Sequence, residues 1–328
     1  MASGATSSNP LQNIRSYWQY VPAQGAPIVF AVLFAISGVL HIWQNNFKYR
    51  SWRIGFLLPW AAALFVSGFA LREVGVYQPA NRNIFIASQV LLFCAPPVYA
   101  GANYFIFGRL LYYIPYLSPM HPGRVWTTFI ALDGVVEALA GNGASKALNP
   151  SLPKTEIKVG IGLVKASLIL QLALFVAFVW LIVIFHRRCV RAKVISHRVK
   201  IVIYELYATS CLILLRNTFR TATFFLKFDS YTNRTEWTVW VFEFVPMVMV
   251  SWLYNVYPPA KYLPANHKIY LAKDGKTELI GPGHVDKRPF IVTLIDPFDI
   301  AGLVTGKDQK NRFWEEDGVG GPKKAEQS

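Results

Sequence analysis

Among the charged side chains that stand inside long apolar stretches of this sequence, five are the most informative, because charge is unexpected there. Asp133 and Glu137 occupy one stretch, Arg216 and Arg220 a later one, and Glu243 the last. Residues four apart share one face of a helix, so each pair presents two like charges to the same surroundings. A charged side chain at the centre of a bilayer costs about 2.5–3.5 kcal/mol even on insertion scales. We therefore expect all five to face the protein interior, where opposite charges meet.

The depth of each charge follows from a rise of about 1.5 Å per residue along its helix. This places Arg216 level with Glu137 near the middle of the membrane, and Arg220 level with Glu243 in the outer half. Two interpretations fit these levels. The charges could be structural ion pairs that lock the fourth, sixth and seventh helices together, or they could line a polar cavity that binds a ligand. We favour the cavity, because the buried ionisable groups are many for structure alone.

The elements that position these residues are seven apolar windows, each close to or above the ~20 residues that span a bilayer. The chain of 328 residues is 53% hydrophobic and only 16% charged, which is typical of a membrane protein. We predict an all-α integral membrane protein with a bundle of seven transmembrane helices. The predicted segments are Pro27–Trp43, Ile54–Leu71, Ile84–Phe107, Val125–Ala147, Val159–Phe185, Lys200–Leu226 and Trp237–Tyr257. The fourth carries the two acids and the triplet Gly141-Asn142-Gly143, which predicts a break near its end.

The distribution of positive charge predicts the orientation. The net charge is +15, yet the part from residue 261 onward holds 11 basic against 10 acidic residues, so the excess lies in the membrane region. The first, third and fifth loops hold three, two and six basic residues. Positive loops face the cytosol, which puts the N-terminus outside and the C-terminus inside. This is a topology signal, so we expect no nucleic-acid partner. The sequon at Asn233 falls on the predicted outer side and is a candidate glycosylation site.

Three regions follow from this orientation. Residues 1–26 form an extracellular polar tail, 27–260 form the seven-helix domain, and 261–328 form a cytosolic tail that is mostly extended. The first 20 residues are polar and show no cleavable signal peptide. We place the protein in the plasma membrane. Its expected partners are membrane lipids, an amphiphilic small-molecule substrate and a second copy of the chain in a homo-oligomer.

Five further polar side chains within the predicted helices complete the candidate substrate-binding site: His41, Gln89, Tyr104, Lys165 and Gln171. His41 is either a packed, hydrogen-bonded histidine or part of the polar site. The sequence contains no P-loop, nucleophile elbow or pair of histidines with metal-ligand spacing, and the three cysteines are not spaced for a metal. We expect no enzymatic activity, no cofactor and no metal.

The order of short motifs resembles a known group, the fungal lipid-translocating exporter family, also called the aminocholesterol-resistance-like family. The resemblance covers about residues 17–262. It rests on His41, Glu73-Val74-Gly75-Val76-Tyr77, Gln89, Ala95-Pro96, Tyr104, Gly108-Arg109, Asp133, Gln171, Arg216-x-x-x-Arg220, Glu236-Trp237 and Phe242-Glu243-x-x-Pro246-Met247. Two positions depart from the family pattern, with Thr223 where a glutamate is expected and Ala140 where a glutamine is expected. Glu137 in the same helix compensates for part of this change.

The resemblance implies a transporter of lipid-like amphiphiles, such as a sphingoid base, a sterol-like amine or a phospholipid, that works without ATP hydrolysis. Transport of porphyrin or haem is the alternative within the family, with His41 and Tyr104 as contacts. A seven-helix receptor or sensor for an amphiphile is an alternative of another class. The acids would bind a cationic headgroup and Arg216 and Arg220 an anionic one. Both a cationic and an anionic headgroup fit the residues of the sequence.

Overall fold

The computed structural model describes residues 22–120, 124–147, 149, 151–226, 231–275 and 277–281. This part of the chain is mostly helical, with seven long helical segments. They are α1 Ala26–Trp43, extended by a π-helical turn Gln44–Lys48; α2 Leu57–Tyr77; α3 Arg82–Tyr113; α4 Arg124–Ala147; α5 Lys154–Arg191; α6 His197–Phe225; and α7, made of Glu236–Val239, a π-helical turn Trp240–Phe244 and Val245–Val256. Shorter elements are the helical turns Trp52–Gly55, Pro115–Leu117, Tyr231–Arg234 and Pro259–Tyr262, and the strands β1 Ile269–Leu271 and β2 Glu278–Ile280.

The outward faces of these helices are apolar. Val39, Trp60 and Trp180 are among the many large apolar side chains that stay well exposed on the surface of the protein. Such a surface suits lipid rather than water, because soluble proteins rarely expose large contiguous apolar areas. Five helical segments have the length and composition of membrane spans, namely those that contain α1, α2, α3, α5 and α7. The predicted all-α membrane protein is confirmed to this extent.

The two remaining long helices, α4 and α6, carry the four charged residues noted first. These charged side chains lower the mean hydropathy of α4 and α6, which is why neither helix has the composition of a membrane span. Both pack within the bundle, since consecutive helices lie side by side from α1 to α7 and α7 returns to α1. α3 also contacts α6 across the ring. The count of seven spans and the orientation of the termini stay predictions.

The predicted helix break at Gly141-Asn142-Gly143 is absent from α4, which continues to Ala147. The reason is a close crossing with α5. A Cβ atom at Gly143 would lie 2.8 Å from the carbonyl oxygen of Gly160 and 2.9 Å from the backbone nitrogen of Val164. Glycine therefore lets the two helix backbones approach, as small residues commonly do between membrane helices.

A short hairpin packs against one end of the bundle. β1 and β2 pair antiparallel, with Ile269 opposite Ile280. The Tyr113 hydroxyl at the end of α3 donates to Glu278 over 2.8 Å, and the Tyr116 hydroxyl donates to the carbonyl of Ala272 over 3.0 Å. Burial, together with the nearby Cys189 and Asp274, raises the pKa of the Tyr116 phenol to about 12, which keeps it a neutral donor. We call this end of the bundle the hairpin end.

Several predictions concern parts of the chain outside the described residues. The polar N-terminal tail lies there up to residue 21, and the C-terminal tail lies there from residue 282 onward. Of the C-terminal tail that is predicted to be mostly extended, residues 261–328, the structure describes only 261–275 and 277–281, which include the hairpin. The glycosylation prediction for Asn233 concerns a side chain that is likewise outside them.

Candidate functional site

Glu243 is the centre of the buried charges. Its Oε1 atom accepts a hydrogen bond from Arg216 Nη2 over 3.0 Å, and its Oε2 atom accepts one from Arg220 Nη1 over 3.4 Å. The Arg216 side chain is 1% exposed and that of Glu243 is 7% exposed, whereas that of Arg220 is 25% exposed. One carboxylate thus serves two guanidinium groups, one enclosed and one accessible.

The ring order of the helices explains these partners. Arg216 and Arg220 share one face of α6, and α6 packs between α5 and α7. Both arginines therefore reach α7 before α4, where Glu137 lies. Arg220 and Glu243, which are predicted to lie at the same depth, are in contact. Arg216, which is predicted to lie level with Glu137, forms its ion pair with Glu243 instead. Glu137 acts on Arg216 only electrostatically.

The local backbone of α7 helps to place Glu243. The residue belongs to the π-helical turn Trp240–Phe244, which interrupts the regular helix. A π-helical turn widens the helix by one residue and is frequent at functional sites. Both Glu243 and the adjacent Phe244 are buried.

A second ion pair extends this group toward α2. Arg72 Nη2 lies 2.8 Å from Glu236 Oε1, and both side chains are largely buried. The Arg72 guanidinium also lies over the ring of Trp240, 5.0 Å from its centroid, and acts electrostatically on Glu243. We call Arg72, Arg216, Arg220, Glu236 and Glu243 the arginine cluster. Arg72 and Glu236 are not among the predicted site residues. Both lie near helix ends, where a charged side chain ordinarily reaches the headgroup region.

The two acids of α4 find neutral partners. Glu137 Oε1 accepts a hydrogen bond from Gln171 Nε2 over 3.2 Å. Asp133 is buried and faces the hydroxyl of Tyr104, which packs edge-on against Phe178 at 4.7 Å. In the described ranges, neither acid lies within ion-pair distance of an arginine or lysine. The acids therefore form a second polar group beside the arginine cluster.

Of the other three predicted residues, Lys165 and His41 have neighbours outside these two groups. Lys165 is half-buried on α5 and lies over the ring of Phe225, 4.9 Å from its centroid. Gln89 is half-buried on α3. His41 is fully buried, with its Nε2 atom 3.4 Å from Ser37 Oγ and 3.5 Å from Asn255 Nδ2. Of the two interpretations of His41, the structure therefore supports the packed, hydrogen-bonded histidine.

The arginine cluster has an excess of positive charge. Among the described residues, the ion pairs of the cluster join three guanidinium groups to two carboxylates. Arg220 is the accessible member, and it lies between the rings of Phe93 and Phe224, with centroid distances of 5.2 Å and 5.5 Å. A guanidinium carries five N–H donors, and the contact to Glu243 uses one of them. The group can therefore bind an anion while the aromatic rings contact an apolar chain.

Comparison with known proteins identifies the family. The family model described as "RTA1 like protein" matches residues 59–266, which include all five members of the arginine cluster and both acids of α4. The chain belongs to the RTA1-like family. The resemblance seen in the sequence is thereby confirmed.

The relatives of this RTA1-like protein are fungal. The Lipid-translocating exporter-like protein RTA1 of Leptosphaeria maculans is 39% identical over 88% of this chain and 59% of its own length, so the chain spans less than two thirds of that relative. A protein of the same name from Ajellomyces capsulatus is 32% identical over 70% of this chain and 75% of its own. Protoporphyrin uptake protein 1 of Saccharomyces cerevisiae is 29% identical over 73% and 90%. No solved structure matches the chain.

Proposed function

We propose that this protein moves an amphiphile with an anionic group, such as a phospholipid, between the leaflets of a membrane without hydrolysing ATP. All seven long helices would span the membrane, with the N-terminus outside and the C-terminus in the cytosol. In this proposal the protein is a transporter of the plasma membrane rather than an enzyme.

The observation that carries the proposal is the shared carboxylate of Glu243. Because Arg216 and Arg220 both bind it, the less enclosed Arg220 keeps unused donors and part of its charge. An arginine binds phosphate or carboxylate oxygens through paired N–H groups, which is geometrically specific as well as strong. A second arginine only one turn away, held in place by Glu243, would keep the local potential positive when the anion leaves.

The two acids of α4 provide negatively charged groups beside the arginine cluster. Glu137 and Asp133 have hydrogen-bond partners but no cation at contact distance within the described residues. A headgroup that carries an amine in addition to its phosphate could place the amine near Glu137 while Arg220 holds the phosphate. A purely cationic amphiphile would meet the excess positive charge of the arginine cluster and is the poorer fit.

The names of the relatives mention two classes of compound that include members with an anionic group. Two relatives are named as lipid-translocating exporters and one as a protoporphyrin uptake protein. Phosphate groups of phospholipids and carboxylate groups of porphyrins are both anions that Arg220 could bind. The contacts to porphyrin do not include His41 in this proposal, because that residue is enclosed among Ser37 and Asn255.

The test is a leaflet-exchange assay with purified protein in liposomes. Three fluorescent probes are compared: an anionic phospholipid analogue, protoporphyrin and a cationic sphingoid base. We expect faster exchange of the phospholipid analogue than in protein-free liposomes, and little effect on the sphingoid base. Faster exchange of protoporphyrin alone would assign the site to porphyrin carboxylates. Exchange of the sphingoid base alone would refute the anionic site, and saturable binding without any exchange would identify a receptor.

A further inference from the structure

One buried acid has no part in the site described so far. Glu205 lies on α6, about 12 Å from the start of the helix at the hairpin end. It is 4% exposed. Both of its carboxyl oxygens are fully enclosed, and neither has a hydrogen-bond partner among the described residues. The acids of α4 and α7 all have such partners, so Glu205 differs from them.

The described residues around Glu205 are polar, and none of them forms an ion pair with its carboxyl group. Asn103 on α3 accepts hydrogen bonds from Thr209 and Tyr254, and it donates to Ser210 over 3.2 Å. These four side chains and Glu205 are buried where α3, α6 and α7 meet.

Among the described residues, no cation on the neighbouring helices lies within ion-pair distance of Glu205. On α3, the Arg109 guanidinium donates to the carbonyl of Pro264 over 2.7 Å. Tyr254 on α7 is the group that faces it, and Tyr99 on α3 lies next to Tyr254. On α5, His186 bonds Tyr207, which lies two residues from Glu205 and so on another face of α6. Lys261 in the turn that packs on α6 is exposed and lies over the ring of Tyr262.

A carboxylate without a partner is costly in this position. Desolvation of an isolated charge is far more expensive than its neutralisation by a proton. We propose that Glu205 is a proton-binding site, occupied as a neutral carboxylic acid in the conformation seen here. The carboxylate takes up one proton on its oxygen when this conformation forms, and it releases the same proton to water when the helices around it separate.

The position of the site suggests what the proton does, and this step rests on the proposed transport function. Glu205 and Arg220 lie on the same helix, about 22 Å apart along its axis. A shift of α6 that opens the arginine cluster would therefore also change the enclosure of Glu205. Proton binding at the hairpin end would then be coupled to substrate binding near the opposite end, and a pH gradient would drive transport.

The proton itself can be observed without any transport assay. The infrared C=O stretching band of a protonated carboxylic acid is measured in the purified protein, in Glu205→Gln, and in Glu156→Gln as a control for an exposed acid. We expect the band to lose intensity in Glu205→Gln and to be unchanged in Glu156→Gln. Equal spectra of the wild type and Glu205→Gln would overturn the proposal.

The coupling is tested in liposomes with an imposed pH gradient and the anionic phospholipid analogue as probe. One proton per substrate permits at most about tenfold accumulation for each pH unit. The wild type should accumulate the probe in one leaflet, whereas Glu205→Gln should only equilibrate it. Accumulation by Glu205→Gln would refute the coupling. A wild type that exchanges no probe refutes the proposed function instead, while the infrared result stands. If Glu205→Gln does not fold, the wild type alone tests the coupling. Equal accumulation of the probe with and without the pH gradient would refute it.

Discussion

The substitution Glu243→Gln tests whether one carboxylate holds the arginine cluster together. It removes the negative charge, replaces one of the two acceptor oxygens by an NH2 donor, and leaves Arg216, which is 1% exposed, without its paired carboxylate. Removal of one partner from a buried ion pair costs about 3–5 kcal/mol. At roughly 2–4 °C per kcal/mol for chains of 150–250 residues, we expect the Tm of the purified protein to fall by roughly 10 °C.

The matched control is Glu156→Gln. Glu156 lies 2.7 Å from Lys146, which is shorter than either contact of Glu243, but its side chain is 45% exposed. An exposed ion pair contributes about 0–1 kcal/mol, so this variant should melt within a few degrees of the wild type. The two glutamates therefore separate burial from distance as the source of stability.

A double-mutant cycle completes the test. If Arg216 and Glu243 depend on each other, the variant with Arg216→Gln and Glu243→Gln should be more stable than the sum of the two single losses predicts. Removal of both partners leaves no enclosed charge unpaired. The reasoning is refuted if Glu243→Gln melts like Glu156→Gln, or if the two single losses simply add.

Three further predictions concern other parts of the molecule. Gly143→Ala should destabilise the protein by about 1–3 kcal/mol in thermal unfolding, because its Cβ would press on the α5 backbone; Gly162→Ala, with open space around it, should not lower the stability, and equal losses would contradict the close crossing. Tyr104→Phe removes the hydroxyl that faces Asp133 and should slow leaflet exchange while the protein stays folded; unchanged exchange would show that this contact is structural. We predict a glycan at Asn233, so glycosidase treatment of cells should shift the mobility of the wild type but not of Asn233→Gln. A C-terminal tag should be inaccessible on intact cells, and an accessible tag would reverse the orientation.

The sequence identified the charged helices but not their neighbours. Asp133, Glu137, Arg216, Arg220 and Glu243 could be singled out because charge is conspicuous in an apolar segment. Their partners could not be derived from depth alone, since depth does not say which helices are adjacent in the bundle. Arg216 therefore forms its ion pair with Glu243, although Glu137 is the acid predicted to lie at the same depth in the membrane.

Local context explains the other differences. The π-helical turn that carries Glu243 gives no signal in the residue pattern, and Gly143 resembles a helix breaker until its neighbour on α5 is known. Arg72 lies near the end of α2, where a solvated position is the ordinary expectation. Glu205 lay within a predicted helix from the start, but its lack of a partner is visible only in three dimensions.

The most direct test of the proposed function compares Arg220→Gln with the wild type in the leaflet-exchange assay. Arg220 contributes little to stability because it is partly exposed and its contact to Glu243 is long, so the variant should fold. A hydrogen bond to a charged group contributes roughly 1.5–3 kcal/mol, and each 1.4 kcal/mol is about tenfold in binding. We predict that Arg220→Gln exchanges the anionic phospholipid analogue about tenfold more slowly or worse, while Lys158→Gln, an exposed basic residue, exchanges it normally. An Arg220→Gln protein that folds and exchanges the probe at the wild-type rate would contradict the account.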